Sequence, residues 1–273
     1  MMDDREYTRE ELASLLAFYA DSGLDFPIGD ANADRFDAPK PEKKDTPTAP
    51  TASSATNSAP RQPTPQQQSK AVPDDEAIRL AETAAAAART LEELYAAVHS
   101  FDACALKRTA RTTVFESGAR GASLMVIMQA PTREDDGAGA GFQGPSGILL
   151  QAMLNAIGLD RDRDCYGGYC VPWRTPGDQP PNPRHMAIYR PFLDRQIELA
   201  KPKMILSMVG DGAARFLFQS NKGLVGLRGE VRNLKGVRAV VTFAPSFLLN
   251  EPLQKRNAWS DLKMLRTALD RVN

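Results

Sequence analysis

The sequence predicts an α/β protein: three α/β/α layers around a central four-stranded parallel sheet. Three observations carry this. Four short apolar runs read as buried strands, segments of helical period separate them, and a Gly- or Pro-rich loop follows each run. Such loops gather at the carboxyl edge of a parallel sheet, where the next helices present free N–H groups, so one composite site is expected there.

Taken in order, Tyr7 to Tyr19 opens with Thr8 and Glu11 at capping-box spacing and carries the stripe Leu12, Leu15, Leu16 and Tyr19. This predicts an N-terminal helix within residues 1–22 that docks on the main domain or a partner. Residues 23–73 read as a disordered linker, because the eight prolines between Pro39 and Pro73 stand among Thr, Ser, Ala and Gln with almost nothing large and apolar. The folded domain is expected over 74–273. One helix is predicted over Asp74 to Ser100 from Ile78, Leu80, the alanines 84–88, Leu91, Leu94 and Tyr95, with His99 as a helix-terminal histidine. Lys107, Arg108 and Arg111 form a basic patch before the first strand, Leu124–Met128.

A long loop rich in Gly, Pro and acid then leads to a helix carrying Ile148, Leu149, Ala152 and Met153, with Phe142 as the one large apolar residue among the glycines. A short strand opens the stretch Cys165 to Met186, and a long Pro/Gly loop follows it. Tyr189 to Ala200 is helical, Lys203 to Val209 is a strand, and Ala213 to Phe218 is a helix. The last strand is Ala239–Phe243, broken by Pro245-Ser246, and a closing helix over Lys255–Val272 sets Trp259, Leu262, Leu265 and Leu269 on one side.

Lys plus Arg and Asp plus Glu are both 34, so overall charge selects no partner. Its distribution says more: from Lys201 onward there are 13 basic and 5 acidic residues, which suits an anionic polymer. Three cysteines make no secreted disulfide framework, and no targeting segment or run of 18 apolar residues is present. A reduced, cytoplasmic protein without membrane contact is expected.

The residues also carry a resemblance. Met128-Gln129-Ala130-Pro131-Thr132, Glu134-Asp135, Ala140-Gly141-Phe142-Gln143-Gly144, Ser146-Gly147 and Leu149-Leu150 match one motif; Thr242-Phe243-Ala244-Pro245-Ser246-Phe247-Leu248-Leu249 matches another, trailed by Lys255 and Trp259-Ser260-Asp261-Leu262. Together they resemble the uracil-DNA glycosylase superfamily, closest to its iron–sulfur family 4 branch, over roughly Phe101 to Leu269. The first motif of that branch reads G-E-A/G-P-G, then E-D, then G-x-P-F-V-G; its last reads T-Y-H-P-S-Y-L-L.

The resemblance implies a uracil-DNA glycosylase-like fold and hydrolysis of the N-glycosidic bond of uracil or another damaged base in DNA, with the nucleotide flipped into a pocket. It implies Phe142 as the ring that stacks on the base and Tyr169 at the position of the base-reading Asn. Gln129 stands at the position of the acid near the water, and Ala244 at that of the His. An amide cannot accept a proton as a general base, and a methyl group donates nothing. DNA contacts are expected from Arg228, Arg232, Lys235, Arg238 and Ser246. The positions of the four cluster cysteines hold Phe101, Cys104, Trp173 and Tyr189, so no iron–sulfur cluster is expected. The implied partner is DNA, with repair proteins reached through the N-terminal helix and linker. A catalytically inactive member that kept the scaffold as a DNA-binding or interaction protein is the alternative, with Tyr169 filling the pocket from within and Trp173 packing behind it.

Overall fold

The computed structural model describes residues 74–271; the N-terminal helix and linker expected over 1–22 and 23–73 lie outside the described residues. Six strands form one mixed sheet: β1 (Ser117–Gly118), β2 (Leu124–Met128), β3 (Cys165–Tyr169), β4 (Met204–Met208), β5 (Val231–Leu234) and β6 (Val237–Thr242), in the order β1-β3-β2-β4-β6-β5. The four inner strands β3-β2-β4-β6 are parallel, as the apolar runs predict, and β1 and β5 pair antiparallel at the two edges. The expected four-stranded sheet is therefore corrected to six. Strand β1 is too short to show a period. Strand β5 is half solvated and joins β6 through Lys235-Gly236, both at positive φ (53° and 85°), the two-residue turn that suits strand twist.

Helices cover both faces. On one lie α1 (Asp74–Ala87), α2 (Leu91–Ser100), α6 (Pro183–Ala200) and α7 (Asp211–Phe218); on the other lie α4 (Gly144–Asn155), α9 (Pro245–Asn250) and α10 (Lys255–Asp270). Successive residues of a strand point to opposite faces, and β3 shows it: Gln196 of α6 packs beside Gly168, whereas Phe142, just before α4, packs on Gly167. Among the described residues no helix is long and apolar enough to cross a membrane.

Three further expectations change. The single helix over 74–100 is two, because Thr90 caps α2 by accepting from the Glu93 N–H at 3.2 Å, and the Arg195 guanidinium takes the freed Ala88 carbonyl at 2.8 and 3.0 Å. The loop after β2 contains α3 (Arg133–Ala138), which Thr132 and Asp135 cap reciprocally and Gly139 ends at φ 68°. Helix α6 starts at Pro183, ahead of Tyr189, because Asn182 caps it and proline suits the first turn. Two short helices, α5 (Arg161–Asp164) and α8 (Leu224–Leu227), complete the chain.

One buried ion pair fastens the last layer. Asp261 of α10 is 2% exposed, and its Oδ2 receives the Arg228 Nε at 2.7 Å and the Thr242 hydroxyl at 2.7 Å. The Arg228 guanidinium also lies 4.3 Å from the centre of the Phe243 ring. Removing the carboxylate leaves a buried cation without its partner, so Asp261→Ala should lose about 3–5 kcal/mol in urea unfolding. A loss under about 1 kcal/mol would show that the pair is not a fastening of the fold.

Candidate active site

The inner strands end level, with Met128 beside Tyr169 and Met208, and Met208 beside Thr242. A cleft of about 940 Å³ opens beyond this edge. Its walls come from Gln129–Glu134 after β2, Pro145 and Ser146 at the start of α4, Thr175 and Asp178–Pro180 after β3, Gly210–Gly212 after β4, and Ala244, Ser246, Phe247, Leu249 and Asn250 after β6.

Of the site residues expected from sequence, Gln129, Ala244 and Ser246 meet in this cleft. The Gln129 Oε1 accepts from the Gly210 N–H at 2.8 Å, which fixes the amide and leaves Nε2 as the donor end. Ala244 stands before the first turn of α9 and makes no side-chain cap.

Phe142 and Tyr169 do not line the cleft. Phe142 is 3% exposed and holds φ 65°, a strained conformation for a bulky residue that costs about 1–3 kcal/mol. Its carbonyl accepts from the Arg161 Nη1 at 2.8 Å, and its ring rests on Gly167. Tyr169 is fully buried, and its hydroxyl donates to the Asp135 Oδ2 at 3.4 Å. Burial pushes this phenol well above its ordinary range, and the Asp135 charge adds to the effect.

The expected basic surface is dispersed. Arg228 is turned inward onto Asp261 and Phe243. Arg232 is folded back on the Gly226 carbonyl and Glu230, and Lys235 pairs with Asp194 at 3.4 Å. Arg238 is in register with Met204 at the start of β4, four residues from the Met208–Thr242 row, so about 13 Å of strand separates it from the cleft edge.

The matched cluster positions form an aromatic corner. Trp173 and Tyr189 meet edge-on at 5.8 Å, Tyr189 and Phe192 lie 5.7 Å apart, and Phe101 meets Phe192 edge-on at 5.1 Å. The Trp173 indole N–H reaches the Thr113 hydroxyl at 3.0 Å. Of the four matched positions Cys104 alone carries sulfur, and burial raises its thiol. Cys165 and Cys170 are buried thiols pushed up to about 12. A [4Fe–4S] cluster needs thiolate ligands, and three rings with one thiol do not fit it.

Sequence reading missed Thr132, Glu134, Asp178, Asp211 and Phe247 as cleft residues. A signal existed for two of them: Asp211 follows the strand-ending glycine, and Phe247 is a large apolar residue just after Pro245-Ser246, which ends the last strand. Phe247 is 42% exposed and stacks on Phe243 at 5.1 Å, so Arg228, Phe243 and Phe247 form a column reaching the cleft.

A model of the Uracil DNA glycosylase superfamily matches residues 115–263, more than half of the chain, and spans both the motif before α4 and the one after β6. The chain belongs to that superfamily. It is 28% identical over 184 residues to a Type-4 uracil-DNA glycosylase of Archaeoglobus fulgidus, covering 64% of this chain and 92% of that relative. A Type-4 uracil-DNA glycosylase of Pyrobaculum aerophilum is 27% identical over 186 residues, at 64% and 92% coverage. One of Thermotoga maritima is 29% identical over 148 residues, at 54% and 77%. Behind the cleft wall, the Tyr169 hydroxyl stands against the Asp135 carboxylate, and the N–H groups of Thr132 and Gln143 donate to it at 3.0 and 2.7 Å.

Burial raises the Asp135 carboxyl above its ordinary range despite these donors. A raised folded value means the folded state binds the proton more tightly, so this contribution favours folding at low pH and is lost as pH rises through the folded value. Between about pH 4 and pH 7 the wild type should therefore lose stability relative to Asp135→Asn, read as urea midpoints at each pH. Parallel curves for the two proteins would refute the shift.

Proposed function

We propose that this protein is a uracil-DNA glycosylase-like repair protein that takes a DNA strand into the cleft at the carboxyl edge and hydrolyses the N-glycosidic bond of a damaged base, with uracil excision much reduced. The single observation that carries the reading is that residues of both family motifs, Gln129–Glu134 with Pro145-Ser146 and Ala244 with Ser246, form the walls of one cleft. Superfamily membership supports the class of reaction.

In this reading the cleft positions groups and moves few protons. The Gln129 Nε2 donates to a water or a substrate oxygen, while its Oε1 is held by Gly210 and takes no proton. Ser246 and the N-terminal N–H groups of α7 face the same space, where they suit phosphate and developing negative charge. Ala244 supplies no donor to a departing base. A second reading, a DNA-binding member without excision, is favoured by one observation: Tyr169, at the position of the base-reading amide, is buried and engaged with Asp135.

The test compares wild type with the combined variant Gln129→Glu, Tyr169→Asn, Ala244→His on single-stranded and duplex oligonucleotides carrying uracil and other lesions, with binding measured in parallel. The variant should excise uracil about 100-fold faster or more, since lost polar site groups cost that order each. Wild-type excision as fast as the variant's would overturn the assigned weakness. Absence of DNA binding at low salt by both proteins would overturn the function itself.

We further infer that the domain folds without an iron–sulfur cluster, since its corner is closed by Phe101, Trp173, Tyr189 and Phe192. Anaerobically purified protein should be colourless and free of stoichiometric iron. About four irons per chain with broad visible absorption would contradict this.

A further inference from the structure

Helix α4 has an outer side without charge. It carries no charged residue at all, and its polar side chains Gln151 and Asn155 bond to each other at 2.7 Å. Leu150 and Leu154 are fully buried, whereas Ile148, Ala152 and Ala156 form an exposed row at four-residue spacing, with Ile148 72% exposed. A helix that faces water ordinarily turns a charged stripe outward, so an uncharged outer side belongs to an interface.

Beside that row, between α4 and α10, runs an apolar groove of about 220 Å³. Helix α4 lines it with Leu149, Ala152, Met153 and, just past its end, Ala156. Helix α10 lines it at the same spacing from Lys255 to Leu262, and Leu248 of α9 completes it. Seven residues of helix rise about 10 Å, so each wall is two turns long and matches two turns of a third helix. The alanines at 152, 156 and 258 leave the room, and small residues let a third helix approach to an axial distance of about 8 Å. Of the lining side chains only Lys255 and Trp259 carry a nitrogen, and none carries an oxygen, so a nucleobase edge finds almost no partner here.

The two walls differ in charge. Against the uncharged α4, helix α10 exposes Lys255, Arg256 and Lys263, none of which makes an ion pair among the described residues. The Lys263 Nζ lies 6.0 Å from the centre of the Trp259 ring, and the acid Asp261 is turned inward onto Arg228. An occupant that fits both walls is apolar on one side and acidic along the flank that meets α10.

We propose that this groove is the docking site for an acidic amphipathic helix of a partner protein. Its apolar residues, spaced i, i+3 or i+4, and i+7, seat between α4 and α10, and its carboxylates meet Lys255, Arg256 and Lys263. Leu248 lines the groove while its neighbours Phe247 and Leu249 line the cleft, so the partner sits on the helix that walls the cleft. The proposal stands apart from the glycosylase-like reading, because its test reads no base excision.

The test uses the full chain and a blocked, fluorescein-labelled synthetic helix of about 20 residues, with leucines on one face, glutamates along one flank and alanines elsewhere. Anisotropy should show saturable binding with a Kd on the order of 1–100 μM. The same peptide with lysines for the glutamates should bind at least about tenfold more weakly, and Lys255→Glu with Lys263→Glu should reverse that preference. Ala152→Arg separates a seat from a merely charged surface: it adds a cation but fills the groove, so affinity for the acidic peptide should fall at least about tenfold. Ala156→Arg serves the same purpose if that variant does not fold. Equal binding of the two peptides, or undiminished binding to a folded arginine variant, would overturn the proposal. So would displacement of the peptide by a single-stranded oligothymidine whose own binding is lost in Trp259→Ala, a result that gives the groove to DNA.

Discussion

The structure depends on one constraint of register: four parallel strands, joined by crossovers, bring Met128, Tyr169, Met208 and Thr242 to the same row. Every connection that leaves this row starts at one edge, and the helices that return from it begin there. Gln129 accepts from the Gly210 N–H across two adjacent strand ends, joining the outlets of β2 and β4. The cleft follows from chain path and not from any single loop. Its polar lining comes from residues just past the strands, whereas the strand residues β2 and β4 contribute are buried throughout.

The same row explains the fate of β3. Tyr169 is its last residue, at the depth where the core gives way to the cleft, so the side chain there belongs either to a ligand site or to the interior. A tyrosine is large enough to reach Gly141, and full burial of such a ring contributes roughly 1.5–3 kcal/mol. The next segment does likewise: Trp173 packs against Tyr189 and ties to Thr113. From Tyr166 to Trp173 the chain has become continuous core, and in both places rings stand where the family resemblance implies ligand-holding groups.

Much of this was legible in the sequence, for reasons particular to each element. Strands β2 and β4 are apolar runs buried on both faces, and the helices that follow carry periodic stripes or caps. Strand β5 was not legible, because Val-Arg-Asn-Leu sits at an edge and reads as a basic loop; nor was the break at Thr90, which depends on Arg195 reaching the Ala88 carbonyl. In the site, Gln129, Ala244 and Ser246 were singled out by the motifs that carry the family resemblance, and they meet in the cleft because they lie within a few residues of strand ends. The burial of Phe142 and Tyr169 was hidden in Gly141 and Gly167, which in sequence look like loop and strand glycines and in space are two seats for rings. Arg228 looks like a surface cation until Asp261, distant in sequence, is placed beside it.

The charge of the C-terminal third also takes a different meaning once its residues are located. Arg228 serves the interior, Lys235 and Arg238 stand at the far end of β6, and what faces the cleft is instead Arg133 among Glu134, Asp178 and Asp211. Two of those acids are held by local cations: a hydrogen bond from Arg174 lowers the Asp178 carboxyl, and one from Arg215 lowers Asp211. Carboxylates kept ionised but paired present little net field to a polyanion beyond a Debye length of about 8 Å. On the proposed function, a strand that enters this cleft would therefore be drawn by backbone N–H groups, hydroxyls and the Phe247 ring at short range more than by a positive surface at long range. On that reading, such a site would select a strand by fit after encounter, and the exposed Phe247, stacked on Phe243, would be the flat apolar face it offers to an unstacked base.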